Sequence, residues 1–346
     1  MQWDIDKIKS IIAKIDIMYK LETDEKVRRN LLIDRRNLED MIRYTDSTYV
    51  ASTPKIESFA QQINDDPNKI ATMERLAKSS EIKDLLSKVY YEKFRLPHIF
   101  NQSIDQKRYI ELVNEFFAEF DPRILPLIEE MVKDKRILLC TKRYDISPSA
   151  LGLCIPILSE KKSYISSRFN KSYQTLSSLP HEIGHAFQTK DNLEYDGVKR
   201  YTNSLFRETY SEFIEYAFVD FLRRKGYKKL AESCIADRLG SYGCSLECDY
   251  SNLLEVKGSR VEDGHYITRA PSYVHEKAIQ YDTIQGFYAP LLSMYFIDLY
   301  RQDRDNAMEE INYFNKSIYD GSDNELLDRY TPDKLQRGLT NIKKAI

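Results

Sequence analysis

The sequence predicts a mainly α protein with a small β-sheet or hairpin, and three observations carry that prediction. Only 11 Gly and 11 Pro punctuate 346 residues, so helix breakers are sparse. Long segments place apolar residues at spacings of three and four, the period of an amphipathic helix. One central stretch departs from that period: Arg136-Ile-Leu-Leu-Cys140, Leu153-Cys-Ile-Pro-Ile-Leu158 and Ser163-Tyr-Ile-Ser-Ser167 are short, apolar and bounded by polar residues.

In chain order, the periodicity predicts helices over 5–44, 55–64, 67–77, 81–92, 106–119, 123–134, 172–189, 203–225, 227–239, 270–302, 304–318 and 332–345. The three central runs read as a strand followed by a hairpin, with Ser159-Glu-Lys-Lys162 as its turn. Helical periodicity is interrupted near Phe94 to Gln106 by Pro97, Asn101 and Ser103, which divides an N-terminal helical region, 1–93, from a second domain, 94–346. The charge of residues 1–93 reads as a solvated helix surface. There is no internal repeat, low-complexity tract or Gly/Ser linker.

A hydrophobic content of 42% with 31% charged residues fits a globular protein with a sizeable core. Fifty-two Lys and Arg against 54 Asp and Glu leave a net charge of -2, so no global field points to nucleic acid or an anionic membrane. The start, Met1-Gln2-Trp3-Asp4-Ile5-Asp6-Lys7, lacks the pattern of a secretion signal. No run approaches the ~20 apolar residues of a membrane span, and the zone from Ala289 to Leu299 is interrupted by Pro290 and Ser293. Five scattered cysteines (Cys140, Cys154, Cys234, Cys244, Cys248) suit a reducing compartment, and the expectation is a soluble, cytoplasmic protein. Cys244 and Cys248 are four apart, but no further ligands accompany them, so they read as structural.

The chain has five histidines, and two of them stand four apart in His181-Glu182-Ile183-Gly184-His185. On a helix, positions i and i+4 share a face with β-carbons about 5–6 Å apart, so both imidazoles can reach one zinc ion. Glu182, rotated by roughly 100°, flanks that position and suits a general base. A catalytic zinc takes a third protein ligand. Arg207-Glu208-Thr209-Tyr210-Ser211-Glu212-Phe213-Ile214-Glu215 offers three carboxylates along one predicted helix face, enough for a ligand and for a carboxylate that orients a ligand histidine.

These residues resemble the thimet oligopeptidase and oligopeptidase F family of zinc metallopeptidases. The likeness runs through Tyr164-Ile-Ser-Ser-Arg-Phe-Asn, then Gln174-Thr-Leu-Ser-Ser-Leu-Pro-His-Glu-Ile-Gly-His-Ala-Phe, then Glu208-Thr-Tyr-Ser-Glu-Phe-Ile-Glu215. It covers about residues 95–300 and is specific around 164–216. The resemblance implies a helical metallopeptidase body with a small sheet beside the active-site helix, with 94–346 as the catalytic domain. It further implies zinc held by His181, His185 and Glu208, Glu182 as general base and Glu215 behind the ligands. His275, Tyr281 and Tyr288 correspond to the family's His and paired Tyr at the oxyanion, with Tyr273 or His265 as alternatives. Three features depart from the family. Gln188 stands where a histidine commonly follows the second ligand, Pro180 precedes the first ligand, and the N-terminal helical half that walls a deep channel has little room in 93 residues.

The function expected is hydrolysis of peptide bonds in oligopeptides, with the sheet edge able to pair with an extended substrate. Nucleic acid and membrane are not expected partners. The alternatives are a processing protease dedicated to one partner or precursor, and a catalytically silent peptide-binding relative. Retention of Glu182 speaks against the silent relative.

Overall fold

Asp4 starts the first helix, α1 (Ile5–Leu21), its carboxylate accepting from the Lys7 amide at 3.1 Å. Ile8, Ile11, Ile12 and Ile15 form the buried stripe of α1 at helical spacing. The single helix predicted over 5–44 is interrupted. Glu22 accepts from the Thr23 and Asp24 amides, and Asp24 caps α2 (Glu25–Thr45) by accepting from Lys26 and Val27. Side-chain to backbone bonds there replace a helical turn that apolar periodicity alone extends.

The computed structural model describes residues 2–54, 104–140, 151–169, 175–234, 273–320 and 323–345. The helices predicted at 55–64, 67–77 and 81–92, most of the 94–106 boundary, and Cys244, Cys248 and His265 lie outside the described residues. Two compact units make up the chain: one from Met1–Ser58 and Asn101–Thr202, the other from Phe59–Phe100 and Asn203–Ile346.

The first unit is built on a three-stranded sheet of β1 (Ile137–Cys140), β2 (Gly152–Ile157) and β3 (Lys162–Arg168) in the order β1-β3-β2. β2 and β3 form the predicted antiparallel hairpin, and β1 adds parallel to β3. Successive strand residues face opposite sides. Tyr164, Leu138 and Ile157 join Trp3, Ile8, Ile11, Leu31, Leu38 and Met41 in a core beneath α1 and α2. The Trp3 indole N–H donates to the Ile165 carbonyl at 3.1 Å. The other face carries small residues, Gly152, Cys154, Ser163 and Ser167, and receives the helix that bears both histidines of the motif. Ahead of the sheet in the chain come α3 (Gln106–Phe120) and α4 (Leu125–Lys133). Tyr109 of α3 stacks on Phe169 and donates its hydroxyl to the Leu176 carbonyl at 2.7 Å.

The described part of the second unit is helical: α7 (Thr209–Arg224), α8 (Tyr273–Gln302), α9 (Arg304–Asp320), α10 (Asp323–Arg329) and α11 (Pro332–Ala345). In the first unit, α5 (Ser178–Thr189) and α6 (Tyr195–Asn203), the latter ending at the unit's boundary, follow the sheet in the chain. An aromatic lattice fills the second unit. Phe296 meets Phe213, Phe314 and Tyr330 edge-on at centroid separations of 6.1, 5.4 and 5.6 Å. α11 approaches α8 closely at Gly338, where an added Cβ would sit 2.8 Å from the Leu291 carbonyl carbon. Among the described residues, no helix is long and apolar enough to cross a membrane. The mainly α class with a small sheet is therefore the observed architecture.

Candidate metal centre

Pro180 delays the motif helix instead of kinking it. α5 begins at Ser178, so the proline falls in the first turn, where a missing N–H costs no helical hydrogen bond. The His181 amide makes an early intrahelical bond, donating to Ser177 at 3.1 Å. Two hydroxyls tie that turn to the sheet: Ser167 Oγ donates to Ser178 Oγ at 3.1 Å, and Ser178 Oγ donates to the Leu151 carbonyl at 2.8 Å. At the other end Thr189 donates to the His185 carbonyl at 2.9 Å and lies 3.4 Å from Ser163 Oγ.

His181 and His185 project from one face, as their spacing predicts, with rings edge-to-face at 4.6 Å between centroids. Their Nε2 atoms are 2.9 Å apart. Two nitrogens at that separation can share a common point at the roughly 2.0–2.1 Å of a zinc–imidazole bond. Among the described residues, His181, His185 and Glu208 form a group whose ligand atoms all lie within 4.8 Å of one another. Two imidazoles and a carboxylate are a donor set that suits a catalytic zinc, so the residues fit the ion.

Glu208 precedes α7 as its N-cap, where the sequence predicts a mid-helix position within 203–225. The predicted helix starts too early, at the last residue of α6; α6 itself is not predicted, and residues 204–208 separate it from α7. Arg207 Nε donates to Glu208 Oε1 at 2.8 Å. Glu212 lies in the first turn of α7, and Glu215 is buried one turn further.

Glu182 is buried on the sheet side of α5. It lies against the backbone of β2 at Gly152, where an added Cβ would be 2.6 Å from its Cγ. On the same strand, burial first and the Glu182 carboxylate second hold the Cys154 thiol pKa far above its ordinary value.

Beside the pair lies a contact that the motif does not announce. His185 Nδ1 is hydrogen-bonded to the Tyr201 hydroxyl, and that hydroxyl donates to Gln188 Oε1 at 3.0 Å. Tyr201 is sixteen residues from His185 and on another helix, so no spacing rule reaches it. Gly152 did carry a signal, because a glycine in a strand often marks close approach of another group.

Of the remaining candidates, His275 and Tyr281 fall in α8, and their side chains lie outside the described residues. Tyr288, also on α8, is 1% exposed and meets Phe206 edge-on at 5.8 Å.

No protein-family model matches this sequence, and no curated protein does. Solved structures do. A crystal structure of a proposed oligoendopeptidase F has a TM-score of 0.55 at 16% identity, over 90% of this chain and 64% of that one. A proposed oligoendopeptidase F from Bacillus anthracis str. Ames has a TM-score of 0.54 at 15% identity, over 92% of this chain and 63% of that one. PZ peptidase A with an inhibitor has a TM-score of 0.53 at 14% identity, over 90% and 65%. The chain spans less than two thirds of the length of each. At these identities the likeness establishes a shared fold, that of solved oligoendopeptidase F and PZ peptidase structures.

Proposed function

We propose that this chain is a zinc-dependent peptidase that hydrolyses peptide bonds in oligopeptides. The observation that carries the reading is the pair of Nε2 atoms facing each other at 2.9 Å within the three-residue group of possible ligands. The fold supports it, since the solved structures that share it are described as oligoendopeptidase F and PZ peptidase A.

His181, His185 and Glu208 hold the ion, and the catalytic part lies within 94–346. When bound, zinc supplies Lewis acidity that polarises the scissile carbonyl and acidifies water. Glu182 does not bind the ion. Its carboxylate takes a proton from the attacking water as the new C–O bond forms, and returns a proton to the amine nitrogen as the C–N bond breaks. Its buried seat against β2 keeps it in one place and limits its contact with bulk water. Glu215 orients a ligand histidine. Tyr288, with Tyr281 or His275, donates to the oxyanion at the carbonyl carbon. The scattered cysteines, five in 346 residues, support action in a reducing compartment such as the cytoplasm.

Elemental analysis with kinetics on one set of variants tests these roles. Glu182→Gln keeps about one equivalent of zinc and loses turnover, whereas His181→Ala and Glu208→Ala lose both. Tyr288→Phe lowers kcat by about 10²–10³ with little change in KM. Wild-type turnover in Glu182→Gln overturns the mechanism. A zinc-loaded wild type that cleaves no member of a diverse peptide panel points to the silent binding relative, and cleavage of a single sequence to a dedicated processing protease.

A further inference from the structure

The contacts around His185 bear on how it presents its nitrogen to a metal. A neutral imidazole carries one proton, and it ligates through whichever nitrogen lacks it. His185 faces His181 with Nε2 at 2.9 Å, so metal binding there needs the proton on Nδ1. A tyrosine hydroxyl has one proton to give and lone pairs to accept with. Tyr201 gives its proton to Gln188 Oε1 at 3.0 Å, which leaves the hydroxyl oxygen as an acceptor towards His185 Nδ1. Gln188 is three residues after His185, on the same side of α5, and its side chain is 6% exposed. Tyr201 is 7% exposed and its ring meets that of His185 edge-on at 6.0 Å.

We propose that Tyr201 and Gln188 are positioning residues: the Tyr201 hydroxyl accepts the Nδ1–H of His185 and donates to Gln188, which fixes the tautomer and ring angle that aim the Nε2 lone pair beside His181. The inference rests on the reading of His185 as a metal ligand. It also gives a use to the glutamine that departs from the resemblance. Gln188 does not ligate, because its amide oxygen is occupied by Tyr201. It acts one step behind the ligand, as the acceptor of the Tyr201 hydroxyl proton. A neutral acceptor orients the histidine without adding a further negative charge behind the site.

The experiment has two readouts on the full chain. In metal-free wild type labelled with 15N-histidine, the His185 nitrogen shifts should report the Nδ1–H tautomer, and the Nε2–H tautomer overturns the proposal. Zinc affinity, measured by competition with a chromophoric chelator, should fall about 10–100-fold in Tyr201→Phe and in Gln188→Met, the range seen when a hydrogen-bond partner of a metal ligand is removed. Gln188→Glu, which keeps an acceptor at the same place, should restore affinity to within a few-fold of wild type. A merely structural tyrosine would lower the thermal midpoint of the metal-free protein and leave zinc affinity unchanged, and that result overturns the proposal. If wild type binds no zinc, the proposed function fails, while the tautomer measurement still decides the relay.

Discussion

The helix α5 and the helix α7 are both largely buried, yet they are held by opposite kinds of contact. α5 rests on a sheet face of small residues, fastened by the chain from Ser167 through Ser178 to the Leu151 carbonyl and by Thr189 beside Ser163. α7 is embedded among rings, with Phe213 edge-on to Phe296 and Tyr300, and with its Thr209 carbonyl accepting from Ser293 at 2.7 Å. Small residues and hydroxyls bring a helix close to a backbone at a defined height, which a catalytic carboxylate requires. Rings fill volume and give cohesion. On this comparison, substitutions under α5 change chemistry more than stability, and substitutions around α7 do the reverse.

The largest expected effect breaks the cohesive side. Phe296→Ala removes a ring that is 1% exposed and edge-on to three others, and should destabilise the fold by about 3–5 kcal/mol. Urea denaturation measures it. A loss under about 1.5 kcal/mol would mean that the lattice repacks freely, and the contrast between the two helices would lapse.

The second effect lies on the sheet face opposite α5. The Asp34 carboxylate of α2 accepts from the Leu158 amide at 2.9 Å and the Ser159 amide at 2.6 Å, clamping the hairpin turn. Burial raises its pKa to about 6, with Glu160 adding to the rise and the two amides opposing it. The unfolded value is near 3.8, so between the two values the native state holds more proton than the unfolded chain. Stability from this group is full below about pH 4 and is lost as pH rises through about 6, by up to roughly 3 kcal/mol. Asp4, Asp134 and Glu310 have lowered values and act in the opposite sense, so the wild-type curve alone does not isolate Asp34. The difference between wild type and Asp34→Asn does: it should change between pH 4 and 6 and be flat above. A difference independent of pH would show that Asp34 is ionised throughout.

The parts legible in the sequence are those set by local spacing. The histidine pair, the hairpin and most long helices follow from periods of four, two and 3.6. What escaped depends on side chains meeting across the chain or on caps that compete with periodicity. The break at Glu22–Asp24 is made by carboxylates bonding to backbone amides within an unbroken apolar period. Glu208 belongs to a helix start, because residues 205–208 form turns between α6 and α7. Tyr201 reaches His185 from a helix that the apolar pattern did not predict. The parallel pairing of β1 with β3 is a matter of topology, which strand composition does not encode.

The smallest expected change in stability tests the comparison most sharply on the α5 side. Gly152→Ala adds one carbon to β2, and that Cβ would lie 2.6 Å from Glu182 Cγ and 2.7 Å from Ser178 Oγ. Both distances are below contact, so something must move. The Ser178 hydroxyl is tied on two sides, to Ser167 and to the Leu151 carbonyl, whereas the end of the Glu182 side chain has several torsions with which to turn. Glu182 therefore yields most, and Ser178 Oγ gives by a few tenths of an ångström. Crowding costs about 1–3 kcal/mol, and the alanine returns roughly 0.4–1 kcal/mol by restricting the unfolded chain, so the net loss should be near 1 kcal/mol. If Glu182 is the base, as proposed, a displacement of its carboxylate by about an ångström should lower kcat by about 10²-fold. KM and zinc content should stay near wild type, because the three atoms nearest the added carbon belong to Glu182 and Ser178 and not to a histidine. Steady-state kinetics and metal analysis on the same preparation separate the outcomes. If kcat is unchanged, the contact with β2 does not set the position of the base. If zinc is lost along with activity, the added carbon has shifted the whole of α5, and the hydroxyl ties at its first turn are weaker than their geometry implies.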